Sequence, residues 1–197
     1  MTGFDLSQPA LSYLRRRLAR RLLNAETFEA EMSNFRLARS VDAAYCTVNT
    51  FRHLLTEQAA RGHLECVARS LCPGGIYLLG LHLLPLDAEP DDDARWTEWR
   101  GETKVTVTLR MLRIDLRRRV ENLRVCLLVR RGSKELRLRH EFQLRTYTAR
   151  QFRRLLGSVS SLELCNIYYS RYDIRRQPDL KYEIAYGVVV LRRRLSL

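Results

Sequence analysis

The stretch Leu71-Cys72-Pro73-Gly74-Gly75-Ile76-Tyr77-Leu78-Leu79 marks a change from helical to extended periodicity. Before it, apolar residues recur at helical spacing through Leu64, Val67, Ala68 and Leu71. Pro73-Gly74-Gly75 cannot continue that helix, so a turn is predicted there. Ile76 to Leu81 is almost unbroken apolar sequence, which is typical of a strand buried on both faces. This segment therefore predicts a helix that leads into a strand of a parallel α/β sheet.

The residues upstream repeat this alternation of helices and strands. Ser7 is placed as the N-cap of an amphipathic helix that ends near Asn24. Short strands are predicted over Ala25–Ala30 and Val41–Cys46, and Thr56 is placed as the cap of the helix that reaches Leu71. Residues 1–84 are thus predicted to form a partial Rossmann-like region.

The pattern changes after residue 84. Residues 85–100 are predicted as an acidic loop, because Pro85–Arg95 has no periodicity. Residues 101–197 then alternate apolar and polar side chains, which predicts three antiparallel strands with one wet face. A capping box at Thr148 opens a short helix, and strands over Leu162–Tyr169 and Glu183–Leu191 close the same domain.

The charge of the chain is strongly basic and uneven. The 197 residues carry a net charge of +13, and only three of the 35 basic residues are lysines. Most of the excess lies in residues 101–197. Solvated strand faces explain it, and a basic nucleic-acid-binding protein is the alternative, although no aromatic RNA-binding motif or reading helix accompanies the arginines.

The cysteines and the apolar runs exclude several classes of protein. Five scattered cysteines form no C-x-x-C pair, so we expect reduced thiols and no metal site. No apolar run approaches the roughly 20 residues that span a bilayer. The first residues do not have the pattern of a signal peptide. A soluble protein of the cytoplasm, with no membrane partner, is expected.

Several segments in order resemble the class I S-adenosylmethionine-dependent methyltransferases. Gly3-Phe4-Asp5-Leu6-Ser7 is similar to the end of the second strand of that family, and 71–79 to its L-x-P-G-G turn and fifth strand. The resemblance implies that the carboxylate of Asp5 accepts hydrogen bonds from the ribose of S-adenosylmethionine, with Leu6 beside it. A strand-end aspartate that only caps the next helix is the alternative.

Two further segments extend the resemblance. Ala30-Glu31-Met32-Ser33-Asn34-Phe35 resembles the loop after the third strand, where the family places a carboxylate and a backbone amide against the adenine. The resemblance assigns these contacts to Glu31 and Met32; a solvated loop acid is the alternative reading of Glu31. Residues 41–49 resemble the fourth strand and its exit, which implies that Cys46 and Asn49 lie near the methionine part of the cofactor.

One element of the family is missing. An acid followed by G-x-G-x-G should precede Asp5 by about 20 residues, and only four residues stand there. The strand before that loop is central in the family's sheet. We therefore expect a Rossmann-like sheet that lacks its first strand and helix. One explanation is that Met1 is an internal GTG valine codon and that the protein extends upstream.

The resemblance implies methyl transfer from S-adenosylmethionine to an acceptor that nothing in the sequence identifies. Candidate general bases near the strand exits are His53 and His82, each of which could instead be a packing residue. Trp96, Trp99 and Arg100 are candidates for a lid over the substrate, with core packing as the alternative for the tryptophans. A non-catalytic, methyltransferase-like binding module is the second reading of the whole chain. The oligomeric state stays open.

Overall fold

A computed structural model describes residues 1–84, 93–169 and 186–195 of the chain. Three α-helices and ten strands follow one another there. In chain order they are β1 (Thr2–Asp5), α1 (Gln8–Arg20), β2 (Glu26–Glu29), β3 (Val41–Cys46), α2 (Glu57–Ser70), β4 (Leu71–His82), β5 (Ala94–Arg100), β6 (Thr103–Asp115), β7 (Val120–Arg131), β8 (Lys134–Arg145), α3 (Ala149–Gly157), β9 (Leu162–Tyr169) and β10 (Tyr186–Arg193).

The strands form three sheets. β1 and β2 make a parallel two-stranded ribbon, and β3, β4, β10 and β9 make a mixed central sheet in that order. Within the central sheet β3 and β4 are parallel, whereas β10 is antiparallel to both of its neighbours. β5 to β8 form a four-stranded antiparallel meander. The predicted mixed α/β architecture with an antiparallel insert is confirmed.

The ribbon and the central sheet each keep an unpaired parallel edge. In the described part of the chain, β1 pairs only with β2 and β3 pairs only with β4. The predicted doubly wound order places one more strand between β1 and β3. The backbone groups on those two edges consequently have no ladder partner among the described residues.

Helix α2 supplies the core between the central sheet and α3. Its N-cap is Thr56, whose hydroxyl accepts a hydrogen bond from the Ala59 amide at 3.1 Å, as predicted. Leu64 and Phe51 are fully buried against Leu79 of β4, and Phe152 of α3 joins the same cluster. Burial of these side chains provides the main driving force for this layer.

The Pro73-Gly74-Gly75 segment is part of a strand bulge. Helix α2 ends at Ser70 and β4 begins at Leu71, so the helix ends before this segment and the predicted turn there is wrong. Val41 pairs with Leu71 and Ala43 with Ile76, which leaves the residues between Leu71 and Ile76 as extra length in β4. Gly74 has φ +80°, and a Cβ on Gly75 would meet the Cys72 carbonyl oxygen at 2.9 Å. Both glycines are required by the backbone at this bulge.

The insert contains one strand more than the sequence predicted. Residues 94–100, predicted as part of the acidic loop, form β5, so the prediction is wrong there. The strand pairs along β6, with the Thr97 and Thr106 hydroxyls 2.9 Å apart. All seven residues of β5 are exposed, so the strand has no buried face and no apolar alternation that sequence reading could detect. Residues 85–92 of that loop, and 183–185 of the predicted last strand, lie outside the described residues.

A buried ion pair joins the insert to the rest of the chain. Arg52, which is 1% exposed, lies 2.9 Å from the carboxylate of Glu121 on β7. Its Nε also donates to the Arg145 carbonyl oxygen at 2.8 Å. Removal of one partner would leave a buried charge unpaired, so this contact fixes how the meander docks.

Candidate functional site

The first candidate residues lie at the end of the ribbon strand β1. Asp5 is exposed, and its Oδ1 accepts a hydrogen bond from the Ser7 amide at 2.8 Å. Its Oδ2 has no partner among the described residues. Leu6, which follows it, is 63% exposed. Asp5 therefore takes part in the start of α1, as the alternative reading held, and still presents one free carboxylate oxygen.

Glu31 and Met32 lie in the turn that follows the neighbouring strand β2. Glu31 is exposed, and its Oε1 accepts a hydrogen bond from the Ser33 hydroxyl at 2.5 Å. The turn is closed by the Asn34 amide, which donates to the Glu31 carbonyl oxygen at 3.1 Å. Since β1 and β2 run parallel, Asp5 and this turn lie at the same edge of the ribbon.

A buried histidine holds the Met32 turn from below. His63 of α2 lies with Nδ1 2.9 Å from the Met32 carbonyl oxygen and with Nε2 2.7 Å from the Tyr77 hydroxyl. A carbonyl can only accept, so Nδ1 carries the proton and Nε2 accepts from Tyr77. Burial lowers the pKa of His63 to about 4. The imidazole is therefore neutral and fixed in one tautomer at neutral pH.

The same network continues to Cys46 at the end of β3. The Cys46 thiol lies beside the Tyr77 hydroxyl, and burial raises the pKa of Cys46. Burial also raises the pKa of Tyr77 well above its ordinary value. Neutral hydrogen bonds thus run from the Tyr77 hydroxyl through His63 to the Met32 backbone, with the Cys46 thiol beside Tyr77.

Gly62 allows α2 to approach the turn this closely. A Cβ on Gly62 would lie 2.8 Å from the Ser33 carbonyl oxygen, which is shorter than a van der Waals contact. The sequence analysis did not identify Gly62, His63 or Tyr77. The available signal was a polar His63 at helical spacing with Ala60 and Val67, both of which are buried core residues.

The second group of candidate residues lies at the ends of β3 and β4. Asn49 has a left-handed backbone with φ 63°, and its Oδ1 accepts a hydrogen bond from the His82 amide at 2.8 Å. Its Nδ2 lies 2.6 Å from His82 Nδ1. The backbone N–H can only donate, which fixes the orientation of the Asn49 amide, so Nδ2 donates to Nδ1.

This arrangement sets the role that His82 can take. With Nδ1 accepting from Asn49, the proton of the neutral ring is on Nε2. His82 can therefore donate a hydrogen bond through Nε2 but cannot take up a proton there. Tyr186 packs edge-on against the His82 ring at 4.9 Å, and its hydroxyl accepts from the Val48 amide at 3.1 Å. The prediction that His82 is a general base does not agree with this geometry.

The other residues expected near a substrate lie elsewhere. His53 stacks on Phe142 of β8 at 5.7 Å, and burial together with the charge of Arg52 lowers its pKa, so it packs against the insert. Trp96 and Trp99 are 47% and 65% exposed on the edge strand β5, so core packing is wrong for them. Arg100 lines a cavity against α1 with Tyr13.

The described residues hold no cluster of side chains that could bind a metal ion. All five cysteines are free thiols, as expected. No described helix has the length and apolar character needed to cross a membrane.

Comparison with known proteins shows which proteins the chain resembles. Residues 1–75 match the model of the methyltransferase domain family. A structure of an S-adenosylmethionine-dependent methyltransferase from Clostridium acetobutylicum ATCC 824 is similar to 98% of the chain, at 14% identity and a TM-score of 0.78, with 74% of that structure covered.

Two further structures show the same likeness. The amino pentose methyltransferase CalS10 from Micromonospora echinaspora, with S-adenosylmethionine bound, gives 19% identity and a TM-score of 0.72 over 98% of the chain and 73% of its own. The sugar N-methyltransferase KedS8 from Streptoalloteichus sp ATCC 53650 is similar at 19% identity and a TM-score of 0.73. The match covers 98% of the chain and 70% of KedS8. No curated protein matches the chain. The chain is thus similar to the methyltransferase domain family over residues 1–75, and it shares the fold of S-adenosylmethionine-dependent methyltransferases of known structure.

Proposed function

We propose that the chain binds S-adenosylmethionine at the carboxyl ends of β1, β2 and β3 and takes part in methyl transfer to a small-molecule acceptor. One observation carries this proposal. Asp5 and Glu31 are exposed carboxylates at the ends of two adjacent parallel strands, within the segment that matches the family. In doubly wound folds, ligands bind outside the carboxyl ends of the strands.

The described residues fit the nucleoside part of the cofactor. Asp5 Oδ2 and Glu31 Oε2 have no hydrogen-bond partner in the described part of the chain, and neither has the Met32 amide. In this proposal Asp5 accepts from the ribose hydroxyls, Glu31 from the adenine amino group, and the Met32 amide donates to the ring. Leu6 covers the ribose side.

The methionine end of the cofactor would meet Cys46 and Asn49. Asn49 already uses Oδ1 and Nδ2 for His82, so its remaining N–H is what it can offer. In residues 1–61, all of which the structure describes, Gly3 is the only glycine, so no glycine-rich loop stands there to receive the cofactor carboxylate. The unpaired edges of β1 and β3 support a further strand between them that would bring such a loop.

An upstream reading frame is one source of that strand. We expect DNA directly 5′ of the Met1 codon to encode, in frame, an acid followed by G-x-G-x-G about 20 codons away. An in-frame stop codon next to Met1 would contradict that source and would favour the non-catalytic binding module.

The chemistry requires orientation more than acid–base groups. When bound, the sulfonium of the cofactor supplies an electrophilic methyl group. The contribution of the chain is to hold the acceptor in line with that methyl group. His82 Nδ1 accepts a hydrogen bond from the Asn49 amide, so His82 is proposed to fix the position of Asn49 at the exit of β3 and not to act as the base.

The class of acceptor is inferred from the relatives. CalS10 is an amino pentose methyltransferase and KedS8 a sugar N-methyltransferase. A small polar molecule is therefore the first class of acceptor to test for this chain. Free thiols in all five cysteines support a reducing, cytoplasmic location.

The binding proposal is tested with S-adenosylhomocysteine by isothermal titration calorimetry. Asp5→Ala should weaken binding by about tenfold or more, because a charge-assisted hydrogen bond contributes about 1.5–3 kcal/mol. Asp42→Ala is the matched control, since Asp42 is equally exposed but lies at the start of β3, far along the strand from its carboxyl end. Equal affinity of the Asp5 variant and the wild type would refute the ribose assignment. A folded chain with no affinity for the probe would contradict the proposal that this chain binds the cofactor.

A further inference from the structure

The arginines of this chain fall into two groups that differ in their partners. In the antiparallel insert, arginines on the strands form ion pairs with carboxylates across or along the sheet. These pairs are Arg110–Asp93, Arg124–Glu141, Arg130–Glu135, Arg137–Glu135 and Arg139–Glu141. Five arginines of the insert thus share three carboxylates, while the insert as a whole stays basic.

A second group of arginines has no such partners. Helix α1 carries arginines at four positions and no acidic residue. Arg16, Arg17, Arg20 and Arg21 line a cavity of about 600 Å³ together with Tyr13 and Arg100 of β5. None of these five arginines forms an ion pair within the residues that the structure describes.

The cations are close in sequence and in space. Arg16 and Arg20, and likewise Arg17 and Arg21, are four residues apart, so each pair projects from the same face of the helix region. Like charges at this spacing repel each other. The C-terminal end of a helix favours cations, which accounts for one or two of them but not for the approach of Arg100 from another element.

Tyr13 organises two of these side chains. Its hydroxyl lies beside the guanidinium groups of Arg100 and Arg17, which lower the pKa of Tyr13, with Arg100 the largest cause. A neutral phenol beside these two guanidinium groups does not neutralise them.

We propose that this cavity, lined by Tyr13, Arg16, Arg17, Arg20, Arg21 and Arg100, is a binding site for a small molecule that carries two or more phosphate groups. Planar guanidinium groups bind phosphate oxygens in pairs, and five of them supply more positive charge than a diphosphate needs for neutralisation. The volume is that of a site for a nucleotide-sized ligand. The proposal is independent of cofactor binding and extends beyond the methyl-transfer function.

The site is tested with inorganic pyrophosphate and the full chain, in calorimetric titrations at about 0.05 M and 0.2 M salt. We expect a dissociation constant below about 1 mM at low salt. The affinity should be about tenfold weaker at the higher salt. R17Q/R20Q should weaken binding by a further tenfold or more. The control R36Q/R39Q has the same net charge and changes exposed arginines outside the cavity, so it should stay within about twofold of the wild type.

Three results would overturn the proposal. One is the absence of pyrophosphate binding by the folded wild type. Another is equal weakening in the two double variants, because general charge attraction would then account for the affinity. The third is tighter binding of a single-stranded DNA oligonucleotide with the same dependence on Arg17 and Arg20, which would assign the arginines to nucleic acid. R16Q/R21Q should repeat the loss if R17Q/R20Q fails to fold.

Discussion

Acidification should destabilise the chain through His63. The imidazole is buried under the Met32 turn with a pKa of about 4, against about 6.5 in the unfolded chain. Between these two values the unfolded state binds a proton that the folded state does not. The free energy of unfolding therefore falls as the pH is lowered through this window.

The magnitude follows from the two pKa values. At pH 7.5 both states are neutral at this residue, and the contribution is close to zero. At pH 4.5 the difference in proton binding corresponds to a loss of about 2.5 kcal/mol. A loss of that size is a large share of the total stability of an ordinary domain.

Urea denaturation at pH 7.5, 5.5 and 4.5 measures this loss. Surface carboxylates such as Glu135 and Glu141, whose pKa values their arginine neighbours lower, also titrate in acid, so the comparison must be with a variant. In H63Q the amide can still donate to the Met32 carbonyl and accept from Tyr77, but it does not titrate. From pH 7.5 to pH 4.5, the free energy of unfolding of the wild type should fall by about 2.5 kcal/mol more than that of H63Q.

The control for this experiment is H140Q, which removes an exposed histidine of β8 and should leave the wild-type pH dependence intact. If the difference in free energy of unfolding between wild type and H63Q changes by less than about 1 kcal/mol over this pH range, the reasoning is refuted. That result would mean that His63 is protonated in the folded state and that the hydrogen bonds to Met32 and Tyr77 are not those described.

Two further substitutions test the geometry of the site. Gly62→Ala should lower the free energy of unfolding by about 1–3 kcal/mol, because the new Cβ would lie 2.8 Å from the Ser33 carbonyl oxygen. In Gly157→Ala the new Cβ meets nothing within 4 Å, so this control should be neutral in the same urea assay. Asn49→Asp should move the His82 proton from Nε2 to Nδ1, because a carboxylate can only accept a hydrogen bond. The nitrogen chemical shifts of the imidazole report the tautomer. An unchanged spectrum would contradict the assigned hydrogen bonds.

Signals carried by neighbouring residues predicted much of the fold. Ser7, Thr56 and Thr148 are the N-caps that the sequence indicated, and the capping box at Thr148 is complete, with Gln151 reaching back to the Thr148 amide at 2.9 Å. These contacts join residues three apart, so a local pattern contains all the information they need. The strands β3 and β9 have the predicted bounds for the same reason.

Contacts between distant residues were beyond such patterns. Asn49 and His82 are 33 positions apart, and His63 and Met32 are 31 apart, yet these pairs decide the tautomers of both histidines. The sequence marked Asn49 and His82 as candidates, but it predicted a base where the structure has a donor. The exposed strand β5 was missed because neither of its faces is buried.

Helix α2 has a larger part in the proposed cofactor site than its place behind the sheet suggests. In the described part of the chain no ladder joins the β1–β2 ribbon to the central sheet. Their link runs through α2, where the Phe35 amide donates to Cys66 Sγ at 3.4 Å and His63 holds the Met32 carbonyl.

The distance between the Glu31–Met32 turn and Cys46 is therefore set by side-chain packing on one helix and by the Tyr77 hydroxyl, which bonds to His63 at 2.7 Å. Close-packed interiors transmit displacement, so a small shift of a side chain on α2 would change this distance. A change at Gly62 or His63 should consequently alter affinity for the adenine part of the cofactor, although the His63 side chain is buried beneath the turn.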